Sequence, residues 1–201
     1  MNIFNKIQDI INQEAAAIKQ LPIDTETYRD VMFLINRVHE LGNKVITSGI
    51  GKAGQIALNI ATTLSSTGTP AVFLHPAEAQ HGDLGVIQPG DVLLCISNSG
   101  ETREILELIE LIDKLYQYSS ISVIAITGNT QSSLAEKADH VLWTGIVKEV
   151  CPLGLTPTTS TTVMNVIGDI LVVLLMEHAG FTRADYALRH HGGYLGKKAR
   201  T

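Results

Sequence analysis

The stretch Ser97-Asn98-Ser99-Gly100-Glu101-Thr102 decides the fold, because it joins two segments with different hydrophobic patterns. Residues 91–96 before it are almost entirely apolar, which is typical of a strand covered on both faces. Residues 105–115 after it carry apolar side chains at helical spacing. A buried strand that passes directly into a helix is the repeating unit of a parallel α/β sheet.

Small polar residues fill this turn. A helix that begins there offers unpaired backbone N–H groups and the positive end of its dipole to an anion. Ser97, Ser99 and Thr102 add three hydroxyl donors. We therefore predict an anion site, with a phosphate ester as the favoured ligand. The alternative is an ordinary helix cap made by Asn98 or Ser99.

Composition limits the choice of partners. The chain has 201 residues, of which 45% are hydrophobic, which suits one α/β domain. Its net charge is −5, and it carries no basic stripe that would bind nucleic acid or an anionic membrane. Cys95 and Cys151 are too few for a disulfide framework and indicate a reducing cytoplasm. No export signal is expected at the N-terminus. Asn165 and Asp169 interrupt the longest apolar stretch, 163–176, which is not expected to span a membrane.

The remaining pattern repeats the unit of strand followed by helix. The fold class expected is α/β: a three-layer sandwich around a five-stranded parallel sheet, doubly wound and flavodoxin-like. One domain is expected over 1–201, with N-terminal helices in 1–42, the sheet and a long helix in 43–181, and a tail in 182–201. The helix over 2–20 is interpreted partly as an interface helix, which implies a homo-oligomer. The predicted strands are 44–48, 71–74, 91–96, 121–127 and 139–142, and the last long helix is 163–179, capped by the threonine-rich run 158–162.

The glycines after the first strand fit the dinucleotide fingerprint G-x-G-x-x-G, at Gly49, Gly51 and Gly54. That fingerprint also needs an acid at the end of the second strand, where this chain has His75 and a proline. A nicotinamide cofactor is therefore not expected. Lys52 inside the loop places a cation beside whatever the helix start binds.

The loop after the second strand is dense in functional side chains: His75, Glu78 and His81. It lies where open α/β sheets bind ligands. The spacing of these residues is not that of a zinc motif, so no metal is expected. His81 is interpreted as a substrate contact or proton donor, with a solvated loop histidine as the alternative.

Five segments, in chain order, together resemble the sugar-isomerase (SIS) domain: 48–54, 75–85, 97–101, 148–154 and 188–193. Within that family the resemblance is to the D-arabinose-5-phosphate isomerase branch. It implies interconversion of D-ribulose 5-phosphate and D-arabinose 5-phosphate, without a cofactor. The product feeds synthesis of 3-deoxy-D-manno-octulosonate (Kdo) for lipopolysaccharide or capsule. It also implies a tetramer and a short form lacking the paired CBS modules of longer members.

The resemblance implies roles for specific residues. The phosphate would be bound by Ser48, Ser97, Asn98, Ser99 and Thr102. Catalytic or sugar-contacting roles fall on Lys52, His81, Glu104, Glu149 and His190. Further substrate contacts are expected at Gly49, His75 and Glu78. The family motif His-Pro-Gly-Gly is here His190-His191-Gly192-Gly193, and the tail histidine is expected to complete a neighbouring subunit's site.

Isomerisation through an enediolate requires a base whose pKa is tuned upward and an electrophile near the oxygen. Glu149, in a loop beside Pro152, is the expected base, with a solvated carboxylate as the alternative. His190 and His81 are candidates for proton shuttling or ring opening, and Lys52 would offset negative charge.

Two other functions stay open from the sequence. One is a SIS isomerase for a hexulose or heptose phosphate, since pocket shape sets substrate length. The other is a non-catalytic sugar-phosphate sensor, which would need only the anion site. CMP-Kdo is a further expected ligand, as a feedback inhibitor at the active site.

Overall fold

A computed structural model of the chain describes residues 2–116 and 121–201. The strands are β1 (Val45–Gly49), β2 (Ala71–Phe73), β3 (Val92–Ile96), β4 (Ser122–Thr127) and β5 (His140–Trp143). The helices are α1 (Ile3–Lys19), α2 (Thr25–Glu40), α3 (Gly51–Ser66), α4 (Pro76–Ala79), α5 (Arg103–Leu115), α6 (Ser133–Lys137), α7 (Thr159–His178), α8 (Arg183–Arg189) and α9 (Gly193–Arg200).

The strands form one parallel sheet in the order β2-β1-β3-β4-β5. This is the flavodoxin-like order, so the predicted doubly wound fold is confirmed. Each predicted strand lies within one residue of the observed strand at both ends. Continuous apolar runs mark such strands because both faces of the sheet are covered.

Side chains of β3 alternate between two cores. Val92, Leu94 and Ile96 belong to the core beneath α1, α2, α3 and α7. Leu93 and Cys95 belong to the core beneath α4, α5 and α6. All five are essentially fully buried, which explains the absence of polar alternation in the strand. The sheet is therefore the middle layer of an α/β/α sandwich.

The long helix α7 lies against α3. Asn59 of α3 donates to Asn165 of α7 at 2.8 Å. A Cβ on Gly168 would lie 2.5 Å from Cγ1 of Ile60, so glycine permits this close approach. By length and composition α7 could cross a membrane, and half of its apolar window is buried inside the protein. We interpret it as a core helix. It begins at Thr159 and not at the predicted Val163, so most of the threonine-rich run is helical.

The two ends of the chain differ from the central sandwich. None of the residues of α1 is buried, and its isoleucines at 3, 7 and 11 are at least half exposed. The tail forms α8 and α9, which the sequence pattern did not predict. A capping box at the start of α8 pairs Thr182 with Asp185, and this spacing was the signal that was missed.

Candidate active site

The strand order reverses between β1 and β3, which creates a crevice at the carboxyl ends of these strands. Gly49 of β1 pairs with Ile96 of β3. The turns that follow these two strands therefore leave the sheet side by side. The first leads into α3 on one face and the second leads into α5 on the other face.

The turn from β1 into α3 is built by glycines. A Cβ on Gly54 would lie 2.7 Å from the carbonyl oxygen of Gly49, so the strand and the helix can meet only without that atom. Gly51 has a φ of 60°, a conformation that favours glycine. These contacts explain the G-x-G-x-x-G spacing by packing, without a dinucleotide.

The start of α3 is open. Its N-cap residue, Ile50, makes no side-chain cap and no acid stands in the first turn. Lys52 is exposed in that turn, and among residues 2–116 and 121–201 it forms no ion pair. Free N–H groups and an ammonium therefore face the same side of the crevice.

The turn from β3 into α5 is ordered by Ser97, which is buried. Its Oγ accepts from the N–H of Gly100 at 3.1 Å and lies 2.7 Å from Oγ1 of Thr102, where either oxygen can donate. Thr102 is the N-cap residue of α5 and makes no side-chain cap. The alternative interpretation, a cap made by Asn98 or Ser99, is therefore wrong.

The start of α5 is open as well. The Oγ of Ser99 accepts from the N–H of Glu101 at 3.2 Å, and Ser99 is exposed. Within the described part of the chain, no acceptor is found for the backbone N–H groups of Ser99, Thr102 and Arg103. The turn can thus donate backbone and hydroxyl hydrogens to one anion.

Neighbouring elements hold this turn rigidly. Gly100 has a φ of 68°, and a Cβ there would overlap the side chain of Ser132. The carboxylate of Glu101 accepts from the N–H and the Oγ of Ser133 at 2.8 and 2.7 Å. These bonds lower the pKa of Glu101, so the carboxylate serves the start of α6 and not that of α5.

Three predicted residues occupy the edges of the crevice. The hydroxyl of Ser48 is buried and donates to the carbonyl of Leu74 at 2.7 Å, and its role in binding the phosphate stays a prediction. Asn98 is exposed, and its carbonyl accepts from the N–H of Gly128 at 3.0 Å. Glu104 lies in the first turn of α5, 4.0 Å from Arg103.

Glu149 lies at the start of α7. Its Oε2 accepts from the N–H of Thr158 at 2.7 Å, the Oγ1 of Thr158 at 2.8 Å and the N–H of Ser160 at 3.3 Å. Burial raises the pKa of this carboxyl, but the hydrogen bonds from Ser160 and Thr158 outweigh it, and the net pKa lies below the ordinary value. The expected upward tuning of this group is therefore wrong.

The start of α7 lies at the same edge of the sheet as the starts of α3 and α5. Asn165 of α7 pairs with Asn59 of α3. Further along, Leu175 lines the same cavity as Thr67 and Gly68, which follow the end of α3. The two helices thus run in the same direction, and α7 begins at the carboxyl edge. Glu149 is therefore on the side of the sheet where Lys52 lies.

The loop after β2 holds the remaining predicted contacts. His75 is the N-cap residue of α4, and its Nδ1 is buried with no partner among the described residues. Glu78 and His81 are exposed. In residues 2–116 and 121–201, no three histidine, cysteine or acidic side chains are grouped as metal ligands would be.

His190 does not reach the crevice of its own chain through any described contact. It ends α8, its Nδ1 donates to the carbonyl of Tyr186 at 2.9 Å, and its ring stacks on that of Tyr186 at 3.7 Å. Its neighbour His191 lines a cavity with Leu58 of α3 and Phe73 of β2. The tail therefore lies along the β2 edge of the sandwich.

The residues that hold Glu149 were not identified from the sequence. Thr158 and Ser160 were assigned only to helix capping. The signal was the run of hydroxyl residues at a helix start, where N–H groups attract a carboxylate from elsewhere in the chain. On α1, Oε1 of Glu14 accepts from Oγ1 of Thr159 at 3.0 Å, so a second carboxylate lies at this helix start.

Comparison with known proteins identifies the family. Residues 42–174 match the family model of the SIS domain. The chain is 50% identical over 155 residues to arabinose 5-phosphate isomerase KdsD of Escherichia coli strain K12. That match takes in 77% of this chain and 46% of the relative, so the chain spans about half the length of the curated relatives it matches.

Solved structures agree with the family. A Bacteroides fragilis NCTC 9343 protein, described as a phosphosugar isomerase involved in capsule formation, is 54% identical, with a TM-score of 0.92, and the match covers 96% of this chain and 100% of that one. An Escherichia coli CFT073 protein in complex with arabinose 5-phosphate is 36% identical, with a TM-score of 0.83, and the match covers 94% of this chain and 97% of that one.

Proposed function

Since the chain belongs to the SIS domain family, we propose that it is an aldose–ketose isomerase that interconverts D-ribulose 5-phosphate and D-arabinose 5-phosphate. The observation that carries this proposal is the pair of open helix starts, α3 and α5, side by side at the reversal of the strand order, with a carboxylate at the same edge. The identity to KdsD and the arabinose 5-phosphate bound in the related structure support this substrate.

The phosphate would lie against residues 97–102. Backbone N–H groups at the start of α5 and the hydroxyls of Ser99 and Thr102 supply donors, and the ammonium of Lys52 supplies a counter-charge. The protein as a whole is acidic, with a net charge of −5, so this local field is what selects an anion. The phosphate then contributes binding energy that positions the reacting carbons at the far end of the sugar.

The reaction moves one proton between neighbouring carbons. In the direction of ribulose 5-phosphate, Glu149 removes the proton from C2 of the open-chain aldose, and the electron pair forms the enediolate. The protonated Glu149, whose acid proton can exchange with solvent, then delivers a proton to C1, while the hydroxyl proton of O2 moves to O1, so C1 becomes a hydroxymethyl group and C2 a ketone. Glu104 contacts the sugar hydroxyls.

The histidines complete the site. His81 at the mouth of the crevice and His190 would carry the proton between O1 and O2 or open the cyclic sugar. Because Arg189 and His191, on either side of His190, line a cavity at the β2 edge of their own chain, we assign His190 to the crevice of a second subunit in a homotetramer. The exposed apolar side chains of Ile3, Ile7 and Ile11 on α1 support such an assembly. Gly49, His75 and Glu78 remain proposed contacts of the substrate.

The product suits synthesis of Kdo for lipopolysaccharide or capsule, in the cytoplasm, by a single domain over residues 1–201. The capsule-related description of the Bacteroides fragilis protein supports this setting. CMP-Kdo, an activated end product that carries a phosphate, is proposed as an inhibitor in the same anion site. Kinetics at several CMP-Kdo concentrations test this: competition with the pentose phosphate is expected, and inhibition that substrate does not relieve would contradict it.

A substrate panel tests the main proposal. We expect the protein to exchange the C2 proton of arabinose 5-phosphate with deuterium from solvent and to form ribulose 5-phosphate, with hexose and heptose phosphates turned over far more slowly. Faster turnover of a hexulose or heptose phosphate would assign a different SIS isomerase. Binding of the panel without any exchange would assign a sensor and overturn the proposal.

A further inference from the structure

Three hydrogen bonds from the start of α7 end on one oxygen of Glu149. Thr158 supplies two of them to Oε2, at 2.7 Å from its N–H and 2.8 Å from its Oγ1, and the N–H of Ser160 supplies the third at 3.3 Å. Oε1 accepts no hydrogen bond in the described contacts, and the buried hydroxyl of Ser160 also helps to lower the pKa of this carboxyl. The carboxylate is thus fixed by one oxygen at the positive end of a helix of 20 residues, and its other oxygen can accept a proton.

We propose that Thr158 is the positioning residue of this site: it anchors Oε2 of Glu149 so that Oε1 is the oxygen that exchanges a proton with the substrate. The inference rests on the proposed function only for the identity of Glu149 as the base. Thr158 itself does not act on the substrate. Its hydroxyl sets the orientation of the carboxylate, and a misdirected base loses rate although it still ionises.

Other charged groups near this helix start must be considered. From α1, Oε1 of Glu14 accepts from Oγ1 of Thr159 at 3.0 Å, while its Oε2 is buried without a partner in residues 2–116 and 121–201. In the same loop, Lys148 is exposed. Burial raises the pKa of Cys151, but hydrogen bonds from Thr156 and Leu155 bring it below the ordinary value. None of these groups donates to Oε2 of Glu149 in the described contacts.

The test compares three variants of neighbouring threonines. Thr158→Val keeps the shape of the residue and its backbone N–H but removes the hydroxyl bond. Thr158→Ser restores a hydroxyl. Thr162→Val is the matched control, because the hydroxyl of Thr162 bonds the carbonyl of Thr158 at 3.2 Å and does not touch Glu149.

For Thr158→Val we expect kcat to fall by roughly 10-fold to 100-fold with little change in KM. Loss of one bond to the charged form raises the pKa of Glu149, so the acid limb of the pH profile of kcat should move to higher pH. Thr158→Ser should restore most of both properties. Thr162→Val should resemble the wild type.

A carbon-13 NMR titration of the side-chain carboxyl groups, with Glu149 assigned by its loss in Glu149→Gln, separates the two claims. An unchanged Glu149 titration in Thr158→Val overturns the anchoring by Thr158, whatever the activity. A shifted titration in a protein that isomerises no sugar phosphate supports the anchor and overturns the proposed function. Equal loss of kcat in Thr162→Val and Thr158→Val would assign the effect to the helix and overturn the inference.

Discussion

The helices α5 and α7 begin at the same edge of the sheet, but the N–H groups at their starts differ in their hydrogen-bond partners. α5 begins at an N-cap threonine without a side-chain cap, and the hydroxyls of its turn bond one another. The N-cap residue of α7, Thr158, donates both its N–H and its hydroxyl to Glu149. One start is left open and the other is closed by a carboxylate of the protein.

This difference suits the two helix starts to two proposed roles: binding an anion at α5 and holding a base at α7. An open helix start attracts an external anion, because its donors have no partner in the protein. A closed start fixes a carboxylate and favours its ionised form, because burial alone would raise the pKa of Glu149 and hydrogen bonds from the hydroxyl and N–H groups of Ser160 and Thr158 lower it. The same device is therefore the proposed ligand site at α5 and the holder of the proposed base at α7.

The largest expected effect is a loss of kcat on substitution of Glu149, the carboxylate at the start of α7. Glu149→Gln preserves size and can still accept the bonds of Thr158, but it cannot take a proton from carbon. We expect kcat to fall by roughly 10³-fold while the substrate Kd, measured by calorimetry, stays within about threefold. The control is Glu110→Gln, an exposed residue that lies 3.8 Å from Lys137 on the surface and should have no effect. Turnover near that of the wild type would remove Glu149 as the base.

The next effect concerns the free energy of unfolding, compared between the turn before α5 and the loop before α7. Gly100→Ala places a Cβ into the side chain of Ser132 at a φ of 68° and should lower the free energy of unfolding by about 3 kcal/mol or more. Gly154→Ala, in the loop before α7, has a φ of 63° but meets nothing within 4 Å. It should lose only about 1 to 2 kcal/mol. Urea unfolding measures both, and equal losses would show that the contact with Ser132 does not hold the turn.

A smaller effect is expected at the open start of α3. Lys52→Ala removes an exposed ammonium beside the proposed phosphate site and should raise KM for arabinose 5-phosphate roughly tenfold. Stability should stay the same, because Lys52 forms no ion pair with the described residues. Lys148→Ala, another exposed lysine, is the comparison. A loss of kcat with unchanged KM in Lys52→Ala would place the ammonium at the enediolate and not at the phosphate.

The sequence was sufficient for the sheet and for the open helix start. Strands with both faces buried, such as β3, are almost wholly apolar, and the residues of the turn at 97–102 can be identified from their chemistry and their position between two periodic segments. Local signals carry this information, so no tertiary contact was needed to find it.

Contacts between segments that are far apart in the chain could not be predicted from the sequence. The hydroxyl of Ser48 donates to the carbonyl of Leu74, 26 residues further along the chain, and the sequence does not show this contact. Glu149 was assigned a raised pKa because the sequence does not show that its loop folds back onto Thr158 and Ser160. The position of His190 depends on two helices in the tail that have only 7 and 8 residues, and helices this short are weakly signalled by sequence periodicity.

A crystal structure of the protein soaked with arabinose 5-phosphate tests most directly that the open helix starts bind the phosphate. We predict that the phosphate lies within hydrogen-bonding distance of the backbone N–H groups of residues 99–103, with the ammonium of Lys52 beside it and C2 of the sugar towards Glu149. A phosphate bound elsewhere, with the start of α5 left empty, would contradict the account.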